Sequence, residues 1–255
     1  MNEQFLDGKI AFISGSYRNL GTEIARALAE RGADVVLNDL PGSLSEEEKN
    51  DLCKSVSGRN GWAMAVDGDV SSYASLNRMR DHIRKERGDV SIVINCAGPF
   101  NLSPFSELEE SDWDTVMDVN LKAVYLTARC FAADMKKAGW GRIISLSAGS
   151  AFVRNHGVYG LAKEGVRFLT QELALELGPE ITVNAVAPGQ IEESLPLIHK
   201  IDPTFGQRYT ERAPLKKLVR RRNVAELISF LCSPPADLVT GETIKIDGGA
   251  ELPRF

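Results

Sequence analysis

Lys9-Ile10-Ala11-Phe12-Ile13-Ser14, followed by Gly15-Ser16-Tyr17-Arg18-Asn19-Leu20-Gly21 and then by Thr22-Glu23-Ile24-Ala25-Arg26-Ala27-Leu28-Ala29-Glu30-Arg31, is where the architecture of this chain becomes readable. Lys9 to Ser14 is a short apolar, β-branched run of the kind a strand buried on both faces requires. Thr22 to Arg31 places Ile24, Ala25, Leu28 and Ala29 at helical spacing. The residues between them make a strand–turn–helix junction, which directs free backbone N–H groups and the positive end of a helix at one spot and so suits a phosphate. Its glycines let the backbone approach closely and let the helix pack on the strand. The same turn also serves purely structural connections, so by itself it raises a dinucleotide site without deciding one.

The pattern then repeats. Asp34 to Asn38 reads as a second strand ending at Asp39, 18 residues beyond Gly21, where a dinucleotide fold places the acid that accepts from the adenosine ribose hydroxyls. Helical segments follow at Ser45 to Val56, Ser72 to Arg87, about Ser111 to Lys137 with Asn120 inside it, the segment holding Tyr159 and Lys163, and near Val224 to Cys232. Strands alternate with them at Trp62 to Val66, Val90 to Asn95, Arg142 to Ser147, Ile181 to Val186 and Thr243 to Ile246. Such alternation predicts an α/β fold, a doubly wound parallel sheet of Rossmann type with helices on both faces. With no Gly/Ser/Pro-rich linker, residues 1–255 read as a single domain, in which a polar segment at about 191–215 would cover the substrate.

Composition narrows the function classes. An apolar share of 43% supports a sizeable core, and a net charge of −5 argues against nucleic acid as the main partner. Met1 to Gly8 carries no apolar leader and no run is long enough to span a bilayer, so neither a membrane nor secretion is expected and the cytoplasm is the default. Cys53, Cys96, Cys130 and Cys232 are scattered without a Cys-x-x-Cys pair, which reads as reduced thiols with no metal site.

Tyr159-Gly160-Leu161-Ala162-Lys163 carries the candidate chemistry. Four residues apart on a helix, the phenol and the ammonium lie one turn apart on one face. A free phenol, with a pKa of about 10, is a poor acid–base group near neutrality, and a nearby ammonium favours its ionised form. Tyr-x-x-x-Lys also recurs as an ordinary solvated helix face, so its weight depends on the motifs around it.

Taken together, these motifs resemble the short-chain dehydrogenase/reductase family over essentially the whole chain. Ser14-Gly15-x-x-x-Asn19-Leu20-Gly21 is similar to the family's cofactor turn, Asp69-Val70 to its adenine-side aspartate, and Asn95-Cys96-Ala97-Gly98 to its Asn-Asn-Ala-Gly. Asn120 matches its helix asparagine, and Tyr159 and Lys163 its catalytic pair. Ile181 to Gly189 and Thr240-Gly241 through Asp247-Gly248-Gly249 are also family-like, and the chain looks nearest to the 3-oxoacyl carrier-protein reductase branch. The resemblance implies hydride transfer between a nicotinamide cofactor and a secondary alcohol or ketone, with Tyr159 moving the proton, Lys163 holding the nicotinamide ribose and tuning Tyr159, and Asn120 positioning a water. It further implies cofactor contacts from Gly15, Tyr17, Arg18, Asn19, Leu20, Gly21, Asp39, Asp69, Val70, Asn95, Ala97, Gly98, Tyr159, Lys163, Pro188, Gly189 and Ile191, and a homo-oligomer, dimer or tetramer.

Three departures stand out. Asn19 replaces a glycine, and asparagine tolerates positive φ. Glu193 stands where the family has a threonine near the cofactor, and its carboxylate must turn away from a pyrophosphate or the local cofactor contact is lost. The family's catalytic serine falls on Ala148 when counted from Gly141-Arg142-Ile143, and on Leu146 when counted back from Tyr159. Ser147 is therefore the expected substrate-oxygen donor and Ser150 the fallback. Asp39 favours NAD over NADP because a carboxylate repels a 2′-phosphate, while Arg18 pulls toward NADP. His156 is a possible substrate contact, Trp113 a core or interface residue, and Lys216, Lys217, Arg220, Arg221 and Arg222 a solvated run or a dock for an anionic carrier. The competing function class is a dinucleotide-binding sensor or partner-binding module with little turnover.

Overall fold

Ile10–Ser14 (β1) is buried along its whole length and is flanked in parallel by Asp34–Asp39 (β2) and Ile92–Asn95 (β4). The computed structural model describes residues 4–58, 61–153, 156–200 and 202–252. Ala63–Asp67 (β3), Gly141–Leu146 (β5), Ile181–Pro188 (β6) and Thr243–Ile246 (β7) complete a seven-stranded sheet in the order β3-β2-β1-β4-β5-β6-β7, every pair parallel. The strand order reverses between β1 and β4, and doubly wound sheets bind ligands at such a switch point, outside the carboxyl ends of the strands.

Side chains alternate across each strand and so supply two cores. Phe12, Val36, Val93, Ile143 and Val183 face Tyr73–Glu86 (α3), Ala123–Ala138 (α5) and Gly157–Leu177 (α6), with the Phe12 and Phe131 rings 5.3 Å apart. Ile13, Leu37, Ile94 and Ile144 face Asn19–Glu30 (α1), Glu46–Val56 (α2) and Arg221–Leu231 (α9). The doubly wound α/β sheet read from the alternation is the observed fold.

Three local differences bear on the site. Helix α1 begins at Asn19, earlier than its apolar periodicity suggests, because Asn19 takes a φ of 56° and turns the chain into the helix inside the glycine turn. The long helix expected from Ser111 is Glu110–Met117 (α4) joined to α5 through a π-helical turn at Asp118–Lys122. Such a turn changes the angular placement of the side chains it carries, here Asn120. The polar segment at about 191–215 is helical in part, with Leu195–Ile198 (α7) and Phe205–Arg212 (α8).

Ser14 ties the switch point together. Its buried hydroxyl oxygen accepts from the backbone N–H groups of Cys96 at 3.1 Å and Ala97 at 3.2 Å, so the end of β1 holds the turn that leaves β4. Replacing Ser14 with alanine strands both donors, at about 1–3 kcal/mol each. Ser14→Ala is therefore expected to lower the unfolding free energy by about 2–4 kcal/mol in a denaturant titration; a loss under about 0.5 kcal/mol contradicts this role for the hydroxyl.

Candidate active site

The phosphate side of the crevice is a cradle of backbone. Gly15 has a φ of 63°, and a Cβ there would lie 2.7 Å from Ala97 Cα. A Cβ on Gly21 would collide with the Gly15 carbonyl. No side chain caps the start of α1 and no acid occupies its first turn, so its N–H groups and dipole face the crevice. A dinucleotide's phosphates fit this arrangement. Asp39 closes β2 with one carboxylate oxygen accepting from Leu40 N–H at 2.9 Å, and the Arg18 side chain is exposed. Asp69 accepts from the Ser71 amide and hydroxyl, shaping the turn after β3, with Val70 buried beside it.

Two residues of the expected cofactor set have side chains committed elsewhere. Tyr17 is buried and donates to Asp67 at 2.6 Å, while the other Asp67 oxygen accepts from Lys49 at 2.8 Å. Burial first, then the bond to Asp67, pushes the Tyr17 phenol up. Asn95 donates to Ser145 Oγ at 3.1 Å and accepts from Thr127 Oγ1 at 2.8 Å, joining β4, β5 and α5. Only their backbones are free to line the crevice.

On the nicotinamide side, α6 brings Tyr159 and Lys163 against the end of β5. Lys163 is buried, its Nζ donating to the Leu146 carbonyl at 2.6 Å and lying 5.5 Å from the Tyr159 ring centroid. Burial drives the Lys163 ammonium down to about 8 and the Tyr159 phenol up to about 12, the Cys96 thiol adding to the second effect. The acidification of Tyr159 expected from Lys163 is thus absent in the protein alone, where desolvation dominates and the ammonium is directed at Leu146. Phe100 packs edge-on against the Tyr159 ring, with centroids 4.7 Å apart.

Asn120 is buried, and its Nδ2 donates to Pro99 O at 2.9 Å and to Val116 O at 3.0 Å. Its Oδ1 has no hydrogen-bond partner among the described residues. A Cβ on Gly98 would lie 2.9 Å from Asn120 Cγ, so glycine there is what lets the amide reach the end of β4. The same edge holds two further buried polar atoms without described partners, Ser150 Oγ and His156 Nδ1.

Ser147 is not placed as expected. It is buried and its hydroxyl donates to the Lys163 carbonyl at 2.9 Å, because this serine faces the first turns of α6. The hydroxyl left unengaged is that of Ser150. Glu193 has turned away, as its charge required: both carboxylate oxygens accept from Arg221 N–H at the start of α9, at 3.2 Å. Beyond β6, Gly189 N–H donates to Ile246 O and Ile191 bridges to Val219, so Pro188, Gly189 and Ile191 stand at and just past the carboxyl end of β6. Two of the five residues of the basic run are ion-paired, Arg220 with Glu192 and Arg222 with Glu23, Glu30 and Glu226. Sequence reasoning missed Asp67, Lys49, Tyr209 and Glu251, which reach this region only through tertiary contacts. Among the described residues no helix is long and apolar enough to cross a membrane, and no group of His, Cys, Asp and Glu is arranged to hold a metal.

Comparison with known proteins agrees with this geometry. A family model described as enoyl-(acyl carrier protein) reductase matches residues 15–251. The 3-oxoacyl-[acyl-carrier-protein] reductase of Aquifex aeolicus is 32% identical over 247 residues, spanning 96% of this chain and 98% of that protein. Nodulation protein G of Azospirillum brasilense is 34% identical over 251 residues, 94% and 97% of the two chains. A gluconate 5-dehydrogenase from Burkholderia cenocepacia, solved in complex with NADP and tartrate, superposes with a TM-score of 0.89 at 30% identity over 99% of both chains. With the glycine turn, the switch point and the Tyr159–Lys163 pair in one crevice, the chain belongs to the short-chain dehydrogenase/reductase family of nicotinamide-dependent oxidoreductases.

Proposed function

We propose that this protein oxidises a secondary alcohol, or reduces the corresponding ketone, with Tyr159 as the acid–base group and NAD(H) as the preferred cofactor. The observation that carries the reading is the meeting of Tyr159, Lys163 and the Asn120 amide at the carboxyl ends of β4 and β5, beside a phosphate-sized backbone cradle. The nicotinamide, when bound, supplies the hydride donor or acceptor, and in its oxidised form a positive charge that favours a phenolate. Gly15 to Gly21 and the start of α1 would hold the phosphates, Asp39 the adenosine ribose, and Lys163 the nicotinamide ribose. Tyr159 then gives the proton to the substrate oxygen or takes it. The unengaged Ser150 hydroxyl steadies that oxygen, and the free Asn120 Oδ1 holds a water from which Lys163 is resupplied with protons. The sensor reading loses one of its two supports, since Glu193 caps α9 and leaves the cofactor turn undisturbed.

The chain's surface favours self-association. Leu161, Phe168 and Leu175 are exposed at seven-residue spacing along α6 and so share one face, with exposed Tyr125 on α5. We infer a homo-oligomer built on that face. The four free cysteines suit a reducing compartment, which supports the cytoplasm.

Three outcomes test these readings. Tyr159→Phe should lower kcat by about 10²–10⁴-fold while the cofactor dissociation constant stays within a few-fold. In the same series Ser150→Ala should lose about 2–4 kcal/mol of transition-state stabilisation, and Ser147→Ala should mainly lower stability; wild-type-like turnover in Tyr159→Phe removes the acid–base assignment. The ratio of kcat/KM values should favour NAD(H) over NADP(H), and the reverse preference means that Arg18 outweighs Asp39. Light scattering of the purified protein should give a multiple of the chain mass, and a monomer at micromolar concentration contradicts the α6 face.

A further inference from the structure

The crevice is walled on its far side by two polar groups that the proposed chemistry leaves unused. After β7 the chain turns through Asp247-Gly248-Gly249, with Asp247 accepting from Gly249 N–H at 2.8 Å and from Glu251 N–H at 3.0 Å. This fold-back brings the Glu251 carboxylate onto Gly149. A Cβ on Gly149 would lie 2.7 Å from Glu251 Oε2 and would overlap Oε1, so only glycine admits the carboxylate. Gly149 directly precedes Ser150, and a Cβ on Gly160 would lie 3.3 Å from Ser150 O, so the carboxylate stands beside the segment that faces Tyr159. From the other side α8 lowers Tyr209 until its hydroxyl rests on Gly189, where a Cβ would collide with it. Glu251 Oε2 and Tyr209 Oη are both buried and make no hydrogen bond of full geometry among the described residues, although the phenol lies near enough to the carboxylate to pull its pKa down.

Buried polar atoms without partners are uncommon, and each costs about 1–3 kcal/mol unless something satisfies it. Here a carboxylate and a phenol meet that description in one wall of the substrate cleft. A carboxylate accepts, and a phenol both donates and accepts, so the pair suits a hydroxyl. An acyl chain would offer neither of them a hydrogen bond. An anionic group would meet Glu251 and Asp247 together. Burial, and then Asp247, already push the Glu251 carboxyl up to about 7, against the opposing pull of Lys245 and Arg212.

We propose that Glu251 and Tyr209 form a subsite of the cleft that grips a neutral hydroxyl on the substrate's carbon chain, which makes the substrate class a polyol or hydroxyketone. The inference rests on the oxidoreductase reading and specifies its substrate. A site built to hydrogen-bond a substrate hydroxyl rejects the analogue that lacks it.

The test compares substrates that differ by a single hydroxyl, acetoin against butanone and dihydroxyacetone against hydroxyacetone, in the wild type, Glu251→Gln, Glu251→Ala and Gly149→Ala. The wild type should prefer the hydroxylated member by about tenfold or more in kcat/KM. Glu251→Ala should bring the ratio near one, chiefly through KM. Glu251→Gln should keep part of it, because its amide oxygen still accepts. Gly149→Ala should act like Glu251→Ala by expelling the carboxylate. An unchanged ratio in Glu251→Ala, or no preference in the wild type, overturns the subsite. Calorimetric titration of acetoin into each protein with cofactor present, Tyr159→Phe included, reads the subsite without turnover. Acetoin binding that survives in Tyr159→Phe and is lost in Glu251→Ala supports the subsite even if hydride transfer fails, whereas no binding to the wild type overturns it.

Discussion

Two reciprocal hydrogen bonds between the end of β5 and the first turns of α6 set the geometry on which the site depends. Lys163 sends its ammonium to the Leu146 carbonyl, and Ser147 returns its hydroxyl to the Lys163 carbonyl. A buried ammonium without such a partner would cost several kcal/mol. The bond therefore fixes the lysine, and with it the face of α6 that presents Tyr159. The same pair explains why Ser147 is unavailable to a substrate. Its hydroxyl proton is part of the brace, and under the proposed function the substrate oxygen is steadied by Ser150 instead.

Much of the fold was legible because its determinants are local. The apolar runs at Ile10–Ser14 and Ile92–Asn95, the helical spacing of Ile24 and Leu28, and the glycines at 15 and 21 each act over a few residues. Tyr159 and Lys163 were legible for the same reason, one turn of helix holding both. What escaped depended on distance in sequence. Nothing near residue 251 announces that its carboxylate will meet Gly149, and nothing near Tyr17 announces Asp67. Counting could not resolve the serine either, because the β5–α6 connection is short relative to the family pattern. A one-residue step along a strand moves a side chain to the opposite face. The charge argument at Glu193 did carry through, since a carboxylate that cannot face a pyrophosphate finds the start of α9 instead.

A common thread joins the catalytic edge and the far wall of the cleft. Asn120 Oδ1, Ser150 Oγ, Tyr209 Oη and Glu251 Oε2 are all buried without described partners, and they belong to segments that close the carboxyl end of the sheet. Buried atoms without described partners also occur away from the crevice, at Asp34, Arg142, Thr182 and Ser229, whereas Ser14, Asn38 and Asn184 are fully engaged. Polar atoms left open in one crevice store the directional bonds that a cofactor and substrate complete. The raised phenol of Tyr159 is consistent with the proposed function, in which its acidity would depend on charge brought by the cofactor.

Single-turnover kinetics show whether this crevice moves a hydride. Protein loaded with reduced nicotinamide deuterated at the transferring position is mixed with a panel of hydroxyketones, and the reduced-cofactor absorbance is followed. Decay is expected with at least one substrate, slower for the deuterated than for the protiated cofactor. A cofactor that binds yet keeps its absorbance across the whole panel would contradict it.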